Sequence, residues 1–563
     1  MYPTPELERE LREAQDKAAK SYPYTPGDLF VGYVRDNTGT AREIGIRTKR
    51  HALTIAGARS GKGTGIIIPN LLRWPHNALV IDPKGEAAEA TAEARERMGQ
   101  AVHVLDPFGD ADVPERFKAR FNPLAALARD SRTIREDINV ITDGLVMRHD
   151  PRSAHWDGGA ASVIAGLIAQ VVDTMPPERR TLPEIRRLLT LPGDKFNKLV
   201  QEMSTNNGCG NLPATAAAKL TRSGNEAGHF LSGADENTKW LDSVAIADVL
   251  RDSTFDLSDL KTKPCTVYLV LPAHLLGEHG RFLRLFVRSA IDAMAKGGTK
   301  GGRECLFLLD EFFSLGRIDE IAKSAGLMPG YGVKLWPILQ DLNQLVQLYD
   351  RDGAGTFFGN ADLHQFFGNT DTQTLEHISH RLGATTLSDV PLPPAAPWNT
   401  GGGPSVIASM TAHSKDSALR GMGAAWGAVS GGIGQIANAA QMADYQDKMN
   451  DYQRHMARLG KPRIAPDEVA ALVQLKDDKV ADGSISFVYG SERIYSHLAP
   501  YFRDLPPPLP VPPPAQKRTL ITRLSWGAAG YLLAGLISLL YDPSGGTFHV
   551  AGAIGAILSF ILM

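Results

Sequence analysis

A chain of 563 residues, 43% of them hydrophobic and 22% charged, can bury more than one core, which excludes a disordered protein and predicts roughly two to four domains. The formal net charge is -2, so no global basic field indicates nucleic acid, and a DNA-binding surface requires local clusters of Lys and Arg. The three cysteines, Cys209, Cys265 and Cys305, are far apart. This spacing argues against a disulfide framework and a zinc site and favours a reducing compartment.

Residues 1–30 are charged and lack an apolar stretch, which predicts a polar leader that is not a signal peptide. "HALTIAG" is then predicted to be a strand that enters a glycine-rich turn, and "TGIIIPNLLRW" is typical of a helix. Two further apolar runs, "NALVID" and "AVHVLDPFG", flank an Ala/Glu-rich helical stretch. This alternation of strands and helices over residues 31–124 predicts the first part of a parallel sheet flanked by helices.

Residues 125–255 show helical periodicity with polar breaks, which predicts an all-helical insert. Strand patterns resume over residues 256–385, and we interpret them as the completion of the interrupted sheet. These patterns are "CTVYLVLP" (265–272), "CLFLLDE" (305–311), "VKLWPILQD" (333–341) and "HQFFGN" (364–369).

The remaining soluble part is less regular. Residues 386–445 are rich in Gly, Pro and Ala, so we expect a flexible or loosely helical insertion there. Residues 446–504 are expected to return to the sheet domain, with "ISFVYG" (485–490) as an edge strand. Residues 505–515 contain "LPPPLPVPPP", which predicts a stiff polyproline linker.

The C-terminal residues 516–563 hold two apolar segments, 524–541 and 548–563, without any Asp, Glu, Lys or Arg. Each segment is close to the minimum length of a membrane-spanning helix, and "DPSGGT" between them is a turn signal. We therefore predict a membrane hairpin, with a buried hairpin of a soluble domain as the alternative. Basic residues precede the first segment, which places both ends of the hairpin in the cytoplasm.

The stretch "AGARSGKGT", which begins at Ala56, is close to the phosphate-binding pattern G-x-x-x-x-G-K-[ST]. In that pattern backbone N–H groups surround the phosphates and the Lys reaches the β and γ oxygens. Gly61 and Lys62 occupy the expected places, whereas Ala56 replaces the first glycine. Gly63 replaces the hydroxyl residue that usually contacts Mg²⁺, and Thr64 follows one position late. The strand before and the helix after this loop favour nucleotide binding.

A carboxylate pair, Asp310 and Glu311, ends the apolar run "CLFLL". In a P-loop motor, an Asp at a strand end holds Mg²⁺ through water, and the adjacent Glu polarises the attacking water. An acidic turn after a strand is the alternative interpretation. Gln340 ends the next predicted strand, where its amide can sense the γ-phosphate or simply belong to a turn.

Asp82 and Lys84 follow the run "NALVID" and lie beside the same crevice if the sheet is doubly wound. They either contact nucleotide or Mg²⁺, or form a turn with a surface salt bridge. The sequence favours neither of these two interpretations. Arg317 and Arg381 are candidates for arginine fingers, although most Arg side chains are only solvated. The clearest basic cluster consists of Arg42, Arg47, Lys49 and Arg50. It either contacts the phosphate backbone of DNA or belongs to a solvated loop.

Three long strings carry a family resemblance: "GARSGKGTGIIIPNLLRWPHNALVIDPKGE", "VLDPF" followed by "FNPL", and "LFLLDEFFSLGRIDEIAKSAGLMPGYGVKLWPILQDLNQLVQLY". In these strings the chain resembles the type IV coupling proteins of conjugation and type IV secretion, the TraG/TraD-type ATPases. Many members of this family carry G-K-G, which accounts for Gly63.

The resemblance implies an α/β fold, namely a RecA-like P-loop NTPase sheet with an inserted all-α domain. The two apolar segments near the C-terminus additionally predict a hydrophobic helical hairpin. Together with the motifs, it implies ATP and Mg²⁺ as cofactors. We predict Asp310 as the metal-organising residue and Glu311, Lys62 and Gln340 as catalytic residues. The predicted nucleotide-binding residues are Gly57, Ala58, Arg59, Ser60, Gly61, Lys62, Gly63 and Thr64.

The resemblance further implies a homo-hexamer, tethered to the inner membrane, that couples ATP hydrolysis to passage of substrate into a type IV secretion channel. The implied partners are single- or double-stranded DNA, a relaxase or effector protein, and the channel components. The alternative is a nucleotide-gated receptor that hands over relaxase or effector proteins without translocating DNA. The usual anchor of the family is N-terminal, whereas the candidate segments of this chain are C-terminal.

Overall fold

The computed structural model describes residues 5–147, 154–298, 302–384 and 441–501, together with residue 394. Positions within these ranges that are left out are 223, 225, 455, 458, 474, 478–479, 482, 490–491 and 500. The chain divides into two compact units, Met1–Gly383 with Pro462–Leu509, and Ala384–Lys461 with Pro510–Met563. In the second unit, residues 441–454 are helical. The first unit contains the sheet and every site discussed below.

Several predicted segments lie outside the described residues. They are most of the insertion at 386–445, the linker at 505–515 and the hairpin at 516–563. Among the helices within the described ranges, none combines the length and the apolar character needed to cross a membrane.

The described strands are β1 (Leu29–Arg35), β2 (Ala41–Ile46), β3 (His51–Ala56), β4 (Asn77–Asp82), β5 (Ala101–Leu105), β6 (Cys265–Val270), β7 (Cys305–Leu309), β8 (Val333–Leu339), β9 (Ala361–Phe367), β10 (Leu475–Asp477), β11 (Val480–Ala481), β12 (Gly483–Val488) and β13 (Glu492–His497).

The α-helices are α1 (Pro5–Ser21), α2 (Ile68–Leu71), α3 (Glu86–Arg97), α4 (Ile134–Leu145), α5 (Ala154–Thr174), α6 (Leu182–Leu189), α7 (Gly193–Thr205), α8 (Gly208–Arg222), α9 (Glu226–Thr238), α10 (Val244–Val249), α11 (Asp259–Thr262), α12 (Leu276–Lys296), α13 (Asp319–Ser324), α14 (Leu342–Asn360), α15 (Thr372–Leu382) and α16 (Pro466–Leu472). A π-helical turn, Gly63–Ile67, precedes α2, and a 3₁₀ turn, Met328–Tyr331, precedes β8.

One 11-stranded sheet organises the first unit, in the order β2-β1-β13-β12-β9-β3-β8-β7-β4-β6-β5. From β9 to β5 every neighbouring pair is parallel, whereas the strands from β2 to β12 pair antiparallel and extend the sheet beyond β9. Because β8 lies between β3 and β7, the end of β8 stands between the ends of its two neighbours.

The central strands are apolar because helices cover both faces of the sheet. Along β4, Leu79 and Ile81 belong to one hydrophobic cluster, and Ala78 and Val80 belong to another. Successive side chains of a strand point to opposite faces, so the two clusters lie on opposite sides of the sheet. A strand that is buried on both faces is a continuous apolar run rather than an alternating one, which explains why "NALVID" and "CLFLL" were recognisable.

Helices α4 to α11 lie between β5 and β6, and the described residues of this segment form no strand. They belong to the same compact unit as the sheet. The parallel pairing of β4 and β5 with β6 shows that the chain returns after these helices to the sheet that it left.

The prediction that "ISFVYG" forms an edge strand is wrong. β12 pairs with β9 on one side and with β13 on the other. The sheet continues through β13 to β1 and β2, so the edge is formed by residues close to the N-terminus. Pairing between strands so remote in the chain leaves no local pattern in the sequence. The segment predicted as a polar leader contains α1 and the start of β1.

Candidate active site

The loop after β3 is held by a close backbone contact with the loop after β9. The Gly57 N–H donates to the carbonyl oxygen of Phe367 at 3.1 Å, and a Cβ on Gly57 would lie 1.9 Å from the carbonyl oxygen of Gly368. Arg59 and Gly61 have φ values of 58° and 82°, in the left-handed region that favours glycine. The loop is therefore a tight turn whose start only a glycine can occupy.

Lys62 begins the helical stretch after this turn, and its side chain folds back over the loop. The Nζ atom lies 3.2 Å from the carbonyl oxygen of Ala56 and 3.5 Å from that of Gly57. These oxygens belong to the carboxyl end of β3, so the ammonium stands at the edge of the sheet where the strand ends.

Two hydroxyl groups flank the lysine. Thr64 Oγ1 donates to the carbonyl oxygen of Gly61 at 3.5 Å. Ser60 is fully buried, and its Oγ has no hydrogen-bond partner in the described part of the chain. A buried polar atom without a partner is rare and costs free energy, which marks the loop as a place where a polar ligand can bind.

The carboxylate pair lies directly after β7. Burial raises the pKa of Asp310 to about 7, with the neighbouring Glu311 carboxylate adding to the rise and Lys62 opposing it. The Oδ1 atom of Asp310 accepts a hydrogen bond of 3.0 Å from the Glu311 N–H. Glu311 has φ 52° and ψ 43°, a left-handed backbone conformation that is uncommon for residues other than Gly, Asn and Asp and is often found at functional sites.

Gln340 follows β8 and orients Glu311. Its Nε2 donates to both carboxylate oxygens of Glu311, at 3.1 and 3.2 Å. The Gln340 N–H donates to Oε1 of Gln344 at 2.9 Å, which fixes the backbone at the end of the strand. The Glu311 carboxylate is therefore held by an amide from the neighbouring strand.

These residues line one cleft of about 670 Å³ at the carboxyl edge of the parallel sheet. Lys62, Asp310, Glu311 and Gln340 meet there although they are remote in the chain, as the motifs predicted. The other predicted nucleotide-binding residues that line this cleft are Ala58, Arg59, Ser60, Gly61, Gly63 and Thr64. Gly57 lies at the base of the loop, against Gly368.

The structure separates Asp82 from Lys84. Asp82 is buried in the cleft wall, where its carboxylate accepts a hydrogen bond from the Ala88 N–H at 2.8 Å and burial raises its pKa to about 6. Lys84 also lines the cleft, but it is exposed and lies 3.8 Å from Glu86. The salt-bridge interpretation thus fits Lys84, and a role in the cleft fits Asp82.

The remaining arginine candidates are engaged within the chain. Arg317 pairs with Asp319 at 2.7 Å. Arg381 donates to Nδ1 of His364 at 2.6 Å, and its guanidinium lies 4.2 Å from the centre of the Phe487 ring. Neither arginine lines the cleft of its own chain.

The predicted basic cluster is largely neutralised. Arg42 pairs with Asp36 at 3.0 Å, Arg47 with Asp28 at 2.5 Å and Arg50 with Asp362 at 2.8 Å. Three of the four cations are therefore paired with carboxylates of the chain, which weakens the interpretation of this cluster as a DNA contact. Of the four, only Lys49 has no ion pair among the described residues.

The sequence reasoning missed the contribution of the turn after β9. Asn369 is 2% exposed, and neither its amide oxygen nor its amide nitrogen has a partner in the described residues. The preceding Gly368 packs against Ser60, since a Cβ there would lie 2.4 Å from the Ser60 Cβ. A "GN" pair after the apolar run "HQFF" was the available signal.

The cysteines and histidines form no second site in the described ranges. Cys209, Cys265 and Cys305 are all buried, and burial raises the pKa of each thiol. No group of three or more His, Cys, Asp or Glu side chains within these ranges is placed to hold a metal ion.

A family described as "Type IV secretory system Conjugative DNA transfer" matches residues 9–391, more than half of the chain. The chain belongs to this family. The membership predicted from the three sequence strings is therefore confirmed.

Curated members of the family are similar in sequence at a moderate level. Protein VirD4 of Agrobacterium fabrum is 28% identical over 343 residues, which cover 60% of this chain and 50% of that protein. The conjugal transfer protein TraG of Escherichia coli is 27% identical over 398 residues, covering 67% of this chain and 62% of that protein. The match to VirD4 thus spans about half the length of that relative.

A solved structure shares the fold. The plasmid coupling protein TrwB, in complex with the non-hydrolysable GTP analogue GDPNP, matches with a TM-score of 0.54 and 13% identity, covering 88% of this chain and 94% of that chain. This likeness confirms the predicted α/β, RecA-like sheet of the family.

Proposed function

We propose that the chain is an ATP-hydrolysing coupling protein that moves DNA, together with a relaxase, or protein substrate into a type IV secretion or conjugation channel. Membership in a conjugative DNA transfer family supports the process. The observation that carries the enzymatic part is the contact of both Glu311 oxygens with the Gln340 amide, in the same cleft as Lys62. If Asp310, Glu311 and Gln340 only formed turns at strand ends, Glu311 and Gln340 would not need to meet in the same cleft as Lys62.

ATP is the proposed substrate of the cleft. The N–H groups of the loop from Ser60 to Thr64 and the Lys62 ammonium bind its phosphates, because consecutive amides and one cation form a cradle for polyanions. Lys62 leaves two carbonyl oxygens of its own chain to do so. The cleft volume of about 670 Å³ is in the range of small-molecule sites.

Mg²⁺ fits the donors that the cleft offers. Asp310 is a hard oxygen ligand, and its raised pKa reflects a partly desolvated carboxylate that lacks sufficient positive charge nearby. Mg²⁺ usually takes one or two carboxylates and completes its shell with waters and substrate phosphates. We assign Asp310 to this role, with Thr64 or water in place of the hydroxyl missing at Gly63. When bound, the ion neutralises charge on the phosphates.

Glu311 is the proposed general base for the attacking water. The Gln340 amide holds its carboxylate from the direction of β8 and leaves the outer lone pairs of both oxygens to accept a water proton. Gln340 lies at the end of β8, between Glu311 and the loop of Lys62. Loss of the γ-phosphate can therefore displace the Gln340 amide and, with it, the end of β8.

The outer parts of the chain are assigned by analogy with the family. We assign helices α4 to α10, within residues 125–255, to the all-α domain that meets substrate, residues 516–563 to a hairpin in the inner membrane, and the soluble body to the cytoplasm. The proposed active assembly is a homo-hexamer.

ATP hydrolysis by the full chain, with and without single- or double-stranded DNA, tests the proposal. DNA is expected to raise turnover, and Glu311→Gln is expected to bind ATP while kcat falls by about 10²- to 10⁴-fold. The exposed Glu8→Gln on α1 is the matched control. Turnover that DNA does not change supports the receptor that hands over protein substrates, and an active Glu311→Gln variant contradicts the assignment of the base.

A further inference from the structure

A second cavity, of about 370 Å³, lies at the opposite edge of the sheet from the nucleotide cleft. Its walls are the residues that precede β3 and β7, including Thr48, Lys49 and Glu304, and the start of β8, including Lys334. The pocket is also lined by Lys261. The three strands are parallel, so their amino ends form this cavity and their carboxyl ends form the nucleotide cleft. We call it the amino-edge pocket.

Lys261 is built into the wall of the amino-edge pocket. Its residue is 4% exposed, and two glycines make room for its stem. A Cβ on Gly302 would lie 2.0 Å from the Lys261 Cε, and one on Gly297 would lie 2.6 Å from its Cγ. The path of the side chain is therefore fixed by surrounding backbone, and the ammonium is preorganised.

The Lys261 ammonium is only partly satisfied. It donates to the carbonyl oxygen of Tyr331 at 2.5 Å, and no ion pair of Lys261 is found in the part of the chain that the structure describes. An ammonium has three donors. Burial lowers the pKa of Lys261, which is the effect of a desolvated cation without a compensating anion.

Lys334 and Thr48 complete the polar wall. Lys334 is 5% exposed, and its Nζ lies 3.0 Å from the carbonyl oxygen of Thr48 and 2.6 Å from Glu304 Oε1. Thr48 is 4% exposed, and its Oγ1 has no hydrogen-bond partner among the described residues. The wall thus contains a buried hydroxyl that is free to bond a ligand.

The charge of the pocket is positive. Arg50 is paired with Asp362, and Lys334 with Glu304. This leaves the buried Lys261 and the exposed Lys49, whose side chain has no ion pair in the described ranges. Two cations, a hydroxyl donor and a cavity of this size match a tetrahedral oxyanion, whose several acceptor oxygens bond several donors at once.

We propose that the amino-edge pocket binds a phosphate group, with Lys261, Lys49 and the Thr48 hydroxyl as its donors. The group belongs either to inorganic phosphate and small phosphate esters or to a phosphodiester of a nucleic acid, since both present the same oxygens. This site is separate from the nucleotide cleft and does not depend on the function proposed for that cleft.

Isothermal titration calorimetry of the full chain carrying Lys62→Ala, with inorganic phosphate in one arm and an unphosphorylated single-stranded oligonucleotide in the other, tests the site. Lys261→Met is expected to weaken binding by about tenfold, because it removes a charge-assisted donor, and Lys49→Gln by about threefold, because this lysine is exposed. Lys20→Gln on α1 removes the same charge elsewhere and is the control.

The two arms distinguish the sources. Loss of phosphate affinity alone in the pocket variants supports a small phosphate ligand, and a parallel loss for the oligonucleotide supports a phosphodiester. Affinities for both ligands that equal those of the Lys20→Gln chain overturn the proposal. Thermal unfolding of each variant is measured alongside. If Lys261→Met is unfolded, the phosphate affinity of the exposed Lys49→Gln variant decides whether the pocket binds phosphate.

Discussion

At the scale of single residues, the cleft separates two carboxylates that are adjacent in sequence. Asp310 is half-buried, and desolvation raises its pKa to about 7, whereas Glu311 turns away through a left-handed backbone and meets the Gln340 amide. Two neighbouring acids with different surroundings can take different roles, one as a metal ligand and one as a base. The Gln340 amide is therefore central to the orientation of Glu311, the proposed base.

Replacing Gln340 with Ala is expected to lower kcat by about ten- to a hundredfold, because Glu311 loses the two hydrogen bonds that orient it. The nucleotide dissociation constant is expected to change by less than about threefold, since the phosphate-binding loop is unaffected. Steady-state kinetics and nucleotide binding measure the two effects, with the exposed Gln201→Ala as control. A normal kcat in Gln340→Ala would show that Glu311 needs no such partner.

The half-buried His377 on α15 is expected to make stability depend on pH. Burial lowers the pKa of His377 to about 4, with Arg381 and His380 adding to the shift. Its ring packs on Phe358 and Phe366, and its Nε2 has no partner in the described residues. Between pH 6.5 and about 4 the unfolded chain binds a proton that the folded protein does not, so the free energy of unfolding decreases as pH falls through this window.

His377→Phe is expected to reduce this loss of stability. Between pH 7.5 and pH 5.0 the variant should lose about 2 kcal/mol less than the unaltered chain, because one uncompensated protonation is removed. Urea unfolding at the two pH values measures the difference, and the exposed His229→Gln is the control. Equal losses in His377→Phe and in the unaltered chain would contradict the assignment.

At the scale of elements, the proposed nucleotide cleft depends on the strand order rather than on any one strand. β3 carries the loop of Lys62, β7 carries the carboxylates, and β8 lies between them with Gln340 at its end. On the other side of β3, the turn after β9 supports the loop through the contact of Gly57 with Gly368. The loop is thus positioned by both neighbouring strands, β8 and β9. Its geometry therefore depends on the pairing of these strands with β3.

Gly57→Ala is expected to displace the loop, because the new Cβ would overlap the Gly368 carbonyl oxygen, which belongs to the backbone and cannot rotate away. We expect a loss of about 1–3 kcal/mol in stability together with weaker nucleotide binding. Gly355→Ala in α14, where a Cβ meets nothing within 4 Å, is the control. Unfolding and nucleotide titrations measure both quantities, and nucleotide affinity retained by Gly57→Ala would contradict the role of this contact.

At the scale of the whole molecule, the parallel strands end in two different sites. The proposed nucleotide cleft occupies the carboxyl edge and the amino-edge pocket occupies the opposite one. Strands β3, β7 and β8 contribute to both, so a shift of one strand along its axis alters the two sites together. A packed sheet transmits such displacements because its interior is dense.

Deleting residues 516–563 is expected to release the body from membranes, because the apolar segments of the proposed hairpin are removed. Cell fractionation of the full and shortened chains measures the distribution, with ATP hydrolysis of the released body as a check on folding. A shortened chain that remains with the membrane fraction would show that another part of the chain holds it there.

The sequence by itself determined the parts that depend on local pattern. Apolar runs predicted the central strands, because a strand covered on both faces must be continuously apolar. The loop around Lys62 and the pair at Asp310 were recognisable as candidates because phosphate and metal chemistry demand particular residue types at fixed spacing, and the structure places both in one cleft. The family followed from the long strings that contain these motifs, and the match over residues 9–391 confirms it.

Only the tertiary structure decided how remote segments combine. The position of β12 inside the sheet, the support of Gly57 by Gly368 and the pairing of the basic cluster with Asp28, Asp36 and Asp362 all join residues without a shared local pattern. The amino-edge pocket likewise assembles from three strand starts and α11. Strand pairing and ion pairing are contacts between distant parts of the chain, and their energies depend on the packing that brings those parts together.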